Sequence, residues 1–221
     1  MNRRQTIVIS AAAAAAAIFG ASAFYYDRSG RNVQAGVGPD SSDVYVRPHS
    51  PVIGEADAPV TIVEFFDPSC EACRAFYPIV KNILAQYPKD VRLVLRYAAF
   101  HEGSDQAVGI LEAARRQDLF EPVLEALLAA QPEWALHGSP NLDRAWQAAA
   151  SAGLDVERAR GDLSSADIAA ALDQDTKDVK TLGVEQTPTF FVNGKSLESF
   201  GPQQLLSLVE SEIDLVRRLT R

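Results

Sequence analysis

Hydrophobic residues along the chain form uninterrupted runs in some segments and helical stripes in others, and this pattern predicts an α/β domain. Residues 60–66 (Val-Thr-Ile-Val-Glu-Phe-Phe) and 91–97 (Val-Arg-Leu-Val-Leu-Arg-Tyr) are largely apolar, as expected of buried central strands. A helix predicted from about Cys70 to Tyr87 connects them. A strand, a crossover helix and a second strand in this order predict parallel pairing.

The chain between about residues 103 and 182 carries helical patterns. Apolar residues follow the i, i+3, i+4, i+7, i+8 spacing at Phe120, Val123, Leu124, Leu127 and Leu128. Polar residues are predicted to cap the helix starts and glycines to end them: Ser104 or Asp105, Asn141 and Ser165 at the starts, Gly153 and Gly183 at the ends. The sequence therefore predicts an inserted α-helical subdomain.

Strand patterns return after this insertion. Residues 189–192 (Thr-Phe-Phe-Val) are followed by the type I′ hairpin signal Asn193-Gly194 and by a second short strand near 195–197. An amphipathic helix opens at Pro202, and one more short strand is predicted at 44–46, Val-Tyr-Val. The complete order predicts a mixed sheet interrupted by helices.

The N-terminus has the parts of a secretory signal peptide. Arg3 and Arg4 precede an uncharged run, and Ala21-Ser22-Ala23 fits a cleavage site. We expect residues 1–23 to be a cleaved signal peptide. Because the run is close to the roughly 20 residues that span a bilayer, an uncleaved membrane anchor is the alternative. Residues 24–43 are predicted to be a flexible linker to a domain at 44–221, located in the periplasm.

Composition and charge narrow the classes of partner. The 221 residues are 47% apolar and 23% charged, which excludes a wholly disordered chain. The net charge of -8 argues against a nucleic acid as the main partner.

Cys70 and Cys73 are the only cysteines, and they stand at the start of the helix that follows the first central strand. At i and i+3 they lie on one helix face, within disulfide reach. A ring this small would stabilise the fold by only about 2 kcal/mol, so the pair indicates redox chemistry. Helix N-terminal N–H groups favour a thiolate at Cys70, which we predict to be the exposed nucleophile, with Cys73 as the resolving thiol. Glu71 is expected to raise the Cys70 pKa somewhat.

Two other interpretations of the cysteine pair stay open. One is half of a zinc or copper site, although His49, His101 and His137 show no ligand spacing and no metal is expected. The other is an inert structural disulfide.

Residues 64–73, Glu-Phe-Phe-Asp-Pro-Ser-Cys-Glu-Ala-Cys, resemble the active-site segment of thioredoxin-fold proteins. Residues 187–194, Thr-Pro-Thr-Phe-Phe-Val-Asn-Gly, resemble the family's second signature, and the helical insertion is characteristic of its DsbA-like branch. The resemblance covers the chain from about Val44 to the C-terminus. It implies a thioredoxin-like fold with a mixed sheet and an inserted α-helical subdomain.

The resemblance also implies roles for particular residues. Pro188 is expected to be cis and to face the redox pair, and the backbone of Thr187 to bind the substrate chain. Glu64 occupies the place of the family's buried acid, which relays a proton to or from Cys73. Arg96 falls near a position where relatives carry a basic partner of that acid.

The resemblance implies an exported thiol–disulfide oxidoreductase in which Cys70 and Cys73 would form the redox-active disulfide, with no cofactor expected. Its expected substrates are cysteine-containing exported proteins. A membrane oxidase or reductase is expected to restore the redox state of the cysteine pair. The protein is expected to be a monomer. The family's strong oxidant has Pro-His between its cysteines, and that histidine helps to stabilise the thiolate. Glu71-Ala72 supplies a negative charge instead, so we predict a Cys70 pKa higher than that of the strong oxidant and a less oxidising couple. The alternatives are a reductase or isomerase with the same site, a metallochaperone, or a chaperone that binds peptides around Pro188.

Overall fold

The computed structural model of the chain describes residues 42–220. The predicted signal peptide at 1–23 and nearly all of the predicted linker at 24–43 lie outside the described residues. Within residues 42–220, none of the helices combines the length and apolar character that crossing a membrane requires.

Five strands of the described part of the chain form one mixed sheet. They are β1 (Val52–Ile53), β2 (Val60–Phe66), β3 (Val91–Tyr97), β4 (Thr189–Val192) and β5 (Lys195–Ser196). Their order across the sheet is β1-β3-β2-β4-β5. β2 and β3 are parallel, as predicted, whereas the other neighbouring strands are antiparallel. Asn193 and Gly194, both with positive φ (48° and 78°), connect β4 to β5, as the hairpin signal predicted.

Helices occupy most of the remaining described residues. They are α1 (Ser42–Tyr45), α2 (Glu71–Gln86), α3 (Ser104–Arg115), α4 (Phe120–Trp134), α5 (Leu142–Ser151), α6 (Val156–Asp162), α7 (Ala166–Thr181) and α8 (Pro202–Leu219). Helices α3 to α7 lie between β3 and β4 in the chain, which confirms the predicted helical insertion. Asn141 caps α5 as expected, with its side chain accepting from the backbone N–H of Arg144 at 3.3 Å.

Two predicted features differ from the structure. Residues 44–46 are not a strand: Ser42–Tyr45 is a short helix, and the first strand is Val52–Ile53. Side-chain packing explains the apolar residues there, because the Tyr45 ring contacts that of Phe191 with centroids 5.0 Å apart. The N-cap of α3 is Gly103 rather than Ser104 or Asp105.

The sheet separates two apolar clusters because side chains alternate between its faces. The larger cluster contains Ile62, Phe66 and Leu95 and is covered by α2, α3, α4 and α8. The smaller cluster contains Phe65 and Val94 and packs against the end of α7. The carboxyl ends of the parallel strands β2 and β3 meet at one sheet edge, where α2 begins.

Candidate redox site

The cysteine pair lies where β2 gives way to α2. Cys70 is the N-cap residue of α2, with extended backbone angles (φ -77°, ψ 122°), and Cys73 lies one turn into the helix. Both are thiols. Cys70 is 7% exposed and Cys73 is fully buried, so the expectation of an openly exposed Cys70 is wrong. Only a small part of Cys70 is accessible to a partner.

A loop from the far end of the chain closes over Cys70. The peptide bond between Thr187 and Pro188 is cis. When Cys70 is protonated, its thiol donates to the Thr187 carbonyl oxygen, with the sulfur and the oxygen 3.2 Å apart. The two motifs that resemble the family signatures are therefore in direct contact.

Hydrogen bonds lower the pKa of Cys70 to about 5. The largest contribution comes from the Cys73 thiol, burial opposes it, and the Thr187 side chain and the backbone N–H groups of Cys73 and Ala72 add to it. The value falls in the range of reactive thiols at helix N-termini. Cys70 is thus mostly a thiolate at neutral pH.

Cys73 has the opposite properties. Burial, the hydrogen bond to Cys70 and the charge of Glu64 raise its pKa far above that of an ordinary thiol. The backbone N–H of Asp67 donates to its sulfur at 3.5 Å. Cys73 therefore keeps its proton and donates it in a hydrogen bond to the Cys70 thiolate.

Glu64 lies beneath the pair on β2. It is 1% exposed, and neither of its carboxylate oxygens has a hydrogen-bond partner among the described residues. Burial, and then the charge of Cys70, raise the pKa of Glu64 to about 8. Glu64 can therefore take up or release a proton close to neutral pH.

The structure does not support Arg96 as the partner of Glu64. In the β2–β3 register Glu64 lies opposite Leu95, whereas Arg96 lies opposite Phe65 and faces the other side of the sheet. There the Arg96 guanidinium contacts two buried aspartates, Asp175 at 2.7 Å and Asp178 at 2.5 Å.

Glu71, which lies between the two cysteines, contacts a histidine from the insertion. Its carboxylate lies 2.9 Å from Nε2 of His137. The pKa of Glu71 is lowered, first by its own backbone N–H and then by His137. The centroid of the His137 ring lies 5.9 Å from that of His101, so two histidines that are distant in sequence lie together beside Glu71.

Sequence reasoning missed the buried carboxylate of Asp67, which organises the redox loop. Its Oδ1 accepts from the Ser69 N–H (2.8 Å) and the Ser104 hydroxyl (2.5 Å). Its Oδ2 accepts from the N–H groups of Phe100 (2.7 Å) and His101 (3.0 Å) and lies 2.8 Å from His101 Nδ1. One signal in the sequence could have found these contacts. Because β2 and β3 are parallel, the residues that follow them, Asp67 after β2 and His101 after β3, lie at the same edge of the sheet.

Sequence reasoning also missed Gln131 on α4. Its amide nitrogen donates to the carbonyl oxygens of Pro68 (2.8 Å) and Cys70 (3.0 Å). The sequence offered one signal for it: Gln131 is a polar residue at a position that continues the apolar stripe of α4, where an apolar residue would be expected.

A small cleft lies beside the cis proline. It has a volume of about 250 Å³ and is lined in part by Pro188, Phe190, Leu197, Glu198 and Phe200. Phe200 is 50% exposed, and its ring packs on that of Phe76 at 4.5 Å between centroids.

Among residues 42–220, no group of three or more His, Cys, Asp or Glu side chains is placed to hold a metal ion.

Comparison with known proteins agrees with this geometry. Residues 47–211 match a protein family described as Thioredoxin. A solved thioredoxin-like oxidoreductase from Silicibacter pomeroyi has a TM-score of 0.68 and 30% identity, covering 82% of this chain and 99% of that one. These matches confirm both the thioredoxin-like fold and the resemblance on which it was predicted.

Two curated relatives differ in how much of their length is matched. Disulfide bond formation protein D of Bacillus subtilis is 28% identical over 176 residues, covering 74% of this chain and 77% of that protein. A Na(+)/H(+) antiporter NhaA of Herminiimonas arsenicoxydans is 31% identical over 169 residues, which cover 76% of this chain. The match spans only 26% of the antiporter's length.

Proposed function

Because the chain belongs to the thioredoxin family, we propose that it is a thiol–disulfide oxidoreductase that exchanges disulfides with the cysteines of other proteins. One arrangement carries the proposal: Cys70 lies at the N-terminus of α2 against the cis Thr187-Pro188 peptide, with its pKa lowered to about 5, while the neighbouring Cys73 is fully buried. This asymmetry suits Cys70 as the nucleophile and Cys73 as the resolving group.

The exchange proceeds through a mixed disulfide. The Cys70 thiolate attacks one sulfur of a substrate disulfide, that bond breaks, and the released substrate thiolate takes up a proton. Cys73 then loses its proton and attacks the Cys70 sulfur, which releases the second substrate thiolate. Two electrons pass from the cysteine pair to the substrate, and the pair becomes a disulfide. The reverse sequence oxidises a substrate dithiol.

Glu64 is suited to remove the proton from Cys73 at the second step. Part of the rise in its pKa comes from the negative charge of Cys70. That charge disappears once Cys70 is bound in the mixed disulfide, so Glu64 then ionises more readily. The carboxylate is thus available as a base at the step at which Cys73 must become a thiolate.

The loop of Thr187 and Pro188 is the proposed place for the substrate chain. Thr187 already contacts the Cys70 sulfur through its carbonyl oxygen. A substrate strand that hydrogen-bonds to the Thr187 backbone would bring its own cysteine to the same point. The adjoining cleft would hold a neighbouring side chain of the substrate.

Export completes the proposal. The basic start and the Ala-Ser-Ala end of residues 1–23 support a signal peptide or an anchor, a periplasmic location and exported proteins as substrates. Each exchange changes the redox state of the cysteine pair, and a membrane protein is proposed to restore it. The exchange itself requires no cofactor or metal.

Covalent trapping tests the function. Cys73→Ala removes the resolving thiol, so substrates should accumulate as mixed disulfides on Cys70 in cells that export the protein. The matched control is the double variant Cys70→Ala/Cys73→Ala, which should capture none. If dithiothreitol-sensitive adducts are equally absent from both variants, the protein does not act on protein cysteines.

A further inference from the structure

We propose that Gln131 is a positioning residue for the redox reaction: it reaches from the helical insertion to hold the backbone of the redox loop, so that the Cys70 sulfur stays at the N-terminus of α2 and in contact with Thr187. The proposal rests on the proposed function, since it concerns the same cysteine. The side-chain hydrogen bonds of Gln131 within the described residues go to backbone carbonyl groups of the redox loop, and it acts through them.

The contacts of Gln131 lie on the turn that carries Cys70. Its amide nitrogen uses both hydrogens, one toward the Pro68 carbonyl oxygen and one toward that of Cys70. These carbonyls lie on either side of Ser69. Gln131 is 2% exposed, so water does not compete for either bond. One side chain therefore fixes the turn at two points.

The orientation of the amide follows from these partners. Carbonyl oxygens only accept hydrogen bonds, so the flipped amide would direct its oxygen at two other oxygens. In the orientation observed, Oε1 of Gln131 is buried and has no partner in the described part of the chain.

This unpartnered oxygen argues against a purely structural role. A buried acceptor without a donor destabilises the fold. The neighbouring positions on the same buried face of α4 are apolar: Leu124, Leu127 and Leu128. An apolar side chain at position 131 would avoid this cost, although it would leave the Pro68 and Cys70 carbonyls without the Gln131 donor. The amide is therefore better explained by the two carbonyls it holds than by the stability of the helix.

The held carbonyls decide where the Cys70 sulfur lies. The Cys70 carbonyl also accepts the first hydrogen bond of α2, from the backbone N–H of Arg74 at 3.1 Å. With that carbonyl bonded from two sides, the ψ angle of Cys70 is restrained at its N-cap value. At this value the sulfur lies at the N-terminus of α2, 3.2 Å from the Thr187 carbonyl oxygen. A turn without the Gln131 amide would sample orientations in which the sulfur moves away from the helix N-terminus, where the macrodipole favours a thiolate.

Gln131→Met is the direct test, because methionine keeps a similar length and an unbranched shape while removing both hydrogen bonds. The reduced protein is titrated, and the Cys70 thiolate is followed by its ultraviolet absorbance and by the pH dependence of its alkylation. The midpoint should move up by about one pH unit, roughly the effect of one hydrogen bond to a charged group. The redox potential should become more reducing, since the thiolate of the reduced form is less stabilised.

The same substitution elsewhere in the insertion provides the control. Gln117 makes two hydrogen bonds to the backbone of Asp155, at 3.0 and 3.1 Å. Gln117→Met should lower the melting temperature without moving the Cys70 midpoint. If Gln131→Met also lowers only the melting temperature, Gln131 is structural and the proposal is wrong.

A second variant keeps the test decisive if Gln131→Met does not fold. Gln131→Leu also removes both hydrogen bonds and adds no charge, so the Cys70 midpoint should again rise. An unchanged midpoint in this variant also overturns the proposal. The titration needs no substrate, so its failure is distinguishable from that of the proposed function, which the Cys73→Ala trapping experiment tests separately.

Discussion

Asp67 and His101 are joined by two contacts at the edge of the redox site: Oδ2 of Asp67 accepts from the His101 backbone N–H and lies 2.8 Å from Nδ1 of the same residue. This pairing brings an imidazole next to the cysteine pair, although the dipeptide between the cysteines contains none. Partial burial opposes a charge on His101, but Asp67, and then Cys70 and Glu71, raise its pKa. The loop after β3 thus supplies a histidine whose protonated form lies beside the site.

His101→Asn should reduce stability in a pH-dependent manner. A histidine whose pKa is raised on folding stabilises the fold fully below its unfolded value of about 6.5, and this contribution is lost as the pH rises through the folded value. Urea unfolding of both proteins at pH 5.5 and pH 9 should therefore show the larger difference at pH 5.5. An equal difference at both values would mean that protonated His101 contributes nothing.

Glu64→Gln should separate stability from activity. Because the pKa of the buried Glu64 carboxyl is raised to about 8, the native protein loses stability as the pH rises from the unfolded value of about 4.5 through 8. The variant should lack this loss, a difference on the order of a few kcal/mol at pH 9 relative to pH 4.

The same variant should also slow the attack by Cys73. Stopped-flow decay of a mixed disulfide between Cys70 and a small thiol measures this step directly. Normal decay in Glu64→Gln, with the rate of formation unchanged, would show that Glu64 is not the base.

Sequence reasoning located the parts of the site that lie in contiguous motifs. The β2–α2 junction placed Cys70 and Cys73, and the second motif placed Thr187 and Pro188, which the structure brings together. These positions depend on local signals, namely a strand, its break, a helix start and a hairpin turn.

Residues that reach the site through tertiary contacts were not found in the same way. Gln131 lies on α4, 61 residues from the Cys70 carbonyl it contacts, and nothing local predicts which turn it meets. Arg96 was misplaced because its proposed role ignored the alternation of side chains along β3. The 44–46 segment shows a related failure, since its strand-forming residues pack through their side chains without joining the sheet.

Asp175→Asn should weaken the fold and leave the redox chemistry unchanged. Asp175 is fully buried and accepts from Arg96 (2.7 and 3.0 Å) and from the backbone N–H of Tyr97 (2.7 Å), on the sheet face away from Glu64. Removing one partner of a buried ion pair costs about 3–5 kcal/mol when the other charge is left unpaired, but Asp178 still contacts Arg96 in this variant, so we expect a loss of at most about 3 kcal/mol. Chemical denaturation should show a loss of this size, while the alkylation midpoint of Cys70 in the folded variant stays at its wild-type value. A shifted midpoint would mean that the two faces of the sheet are coupled.

The redox potential of the Cys70–Cys73 pair should lie between those of a strong oxidant and a reductase. Stabilising the thiolate stabilises the reduced form, so a lower pKa of the nucleophilic cysteine makes the couple more oxidising. Related nucleophilic cysteines with pKa values of about 3.5 and about 7 belong to couples near -120 and -270 mV. The Cys70 pKa of about 5 lies between them. Equilibration with glutathione buffers, followed by alkylation and mass measurement, gives the potential directly. A value as high as about -120 mV would show that Glu71-Ala72 does not make the couple less oxidising than Pro-His does.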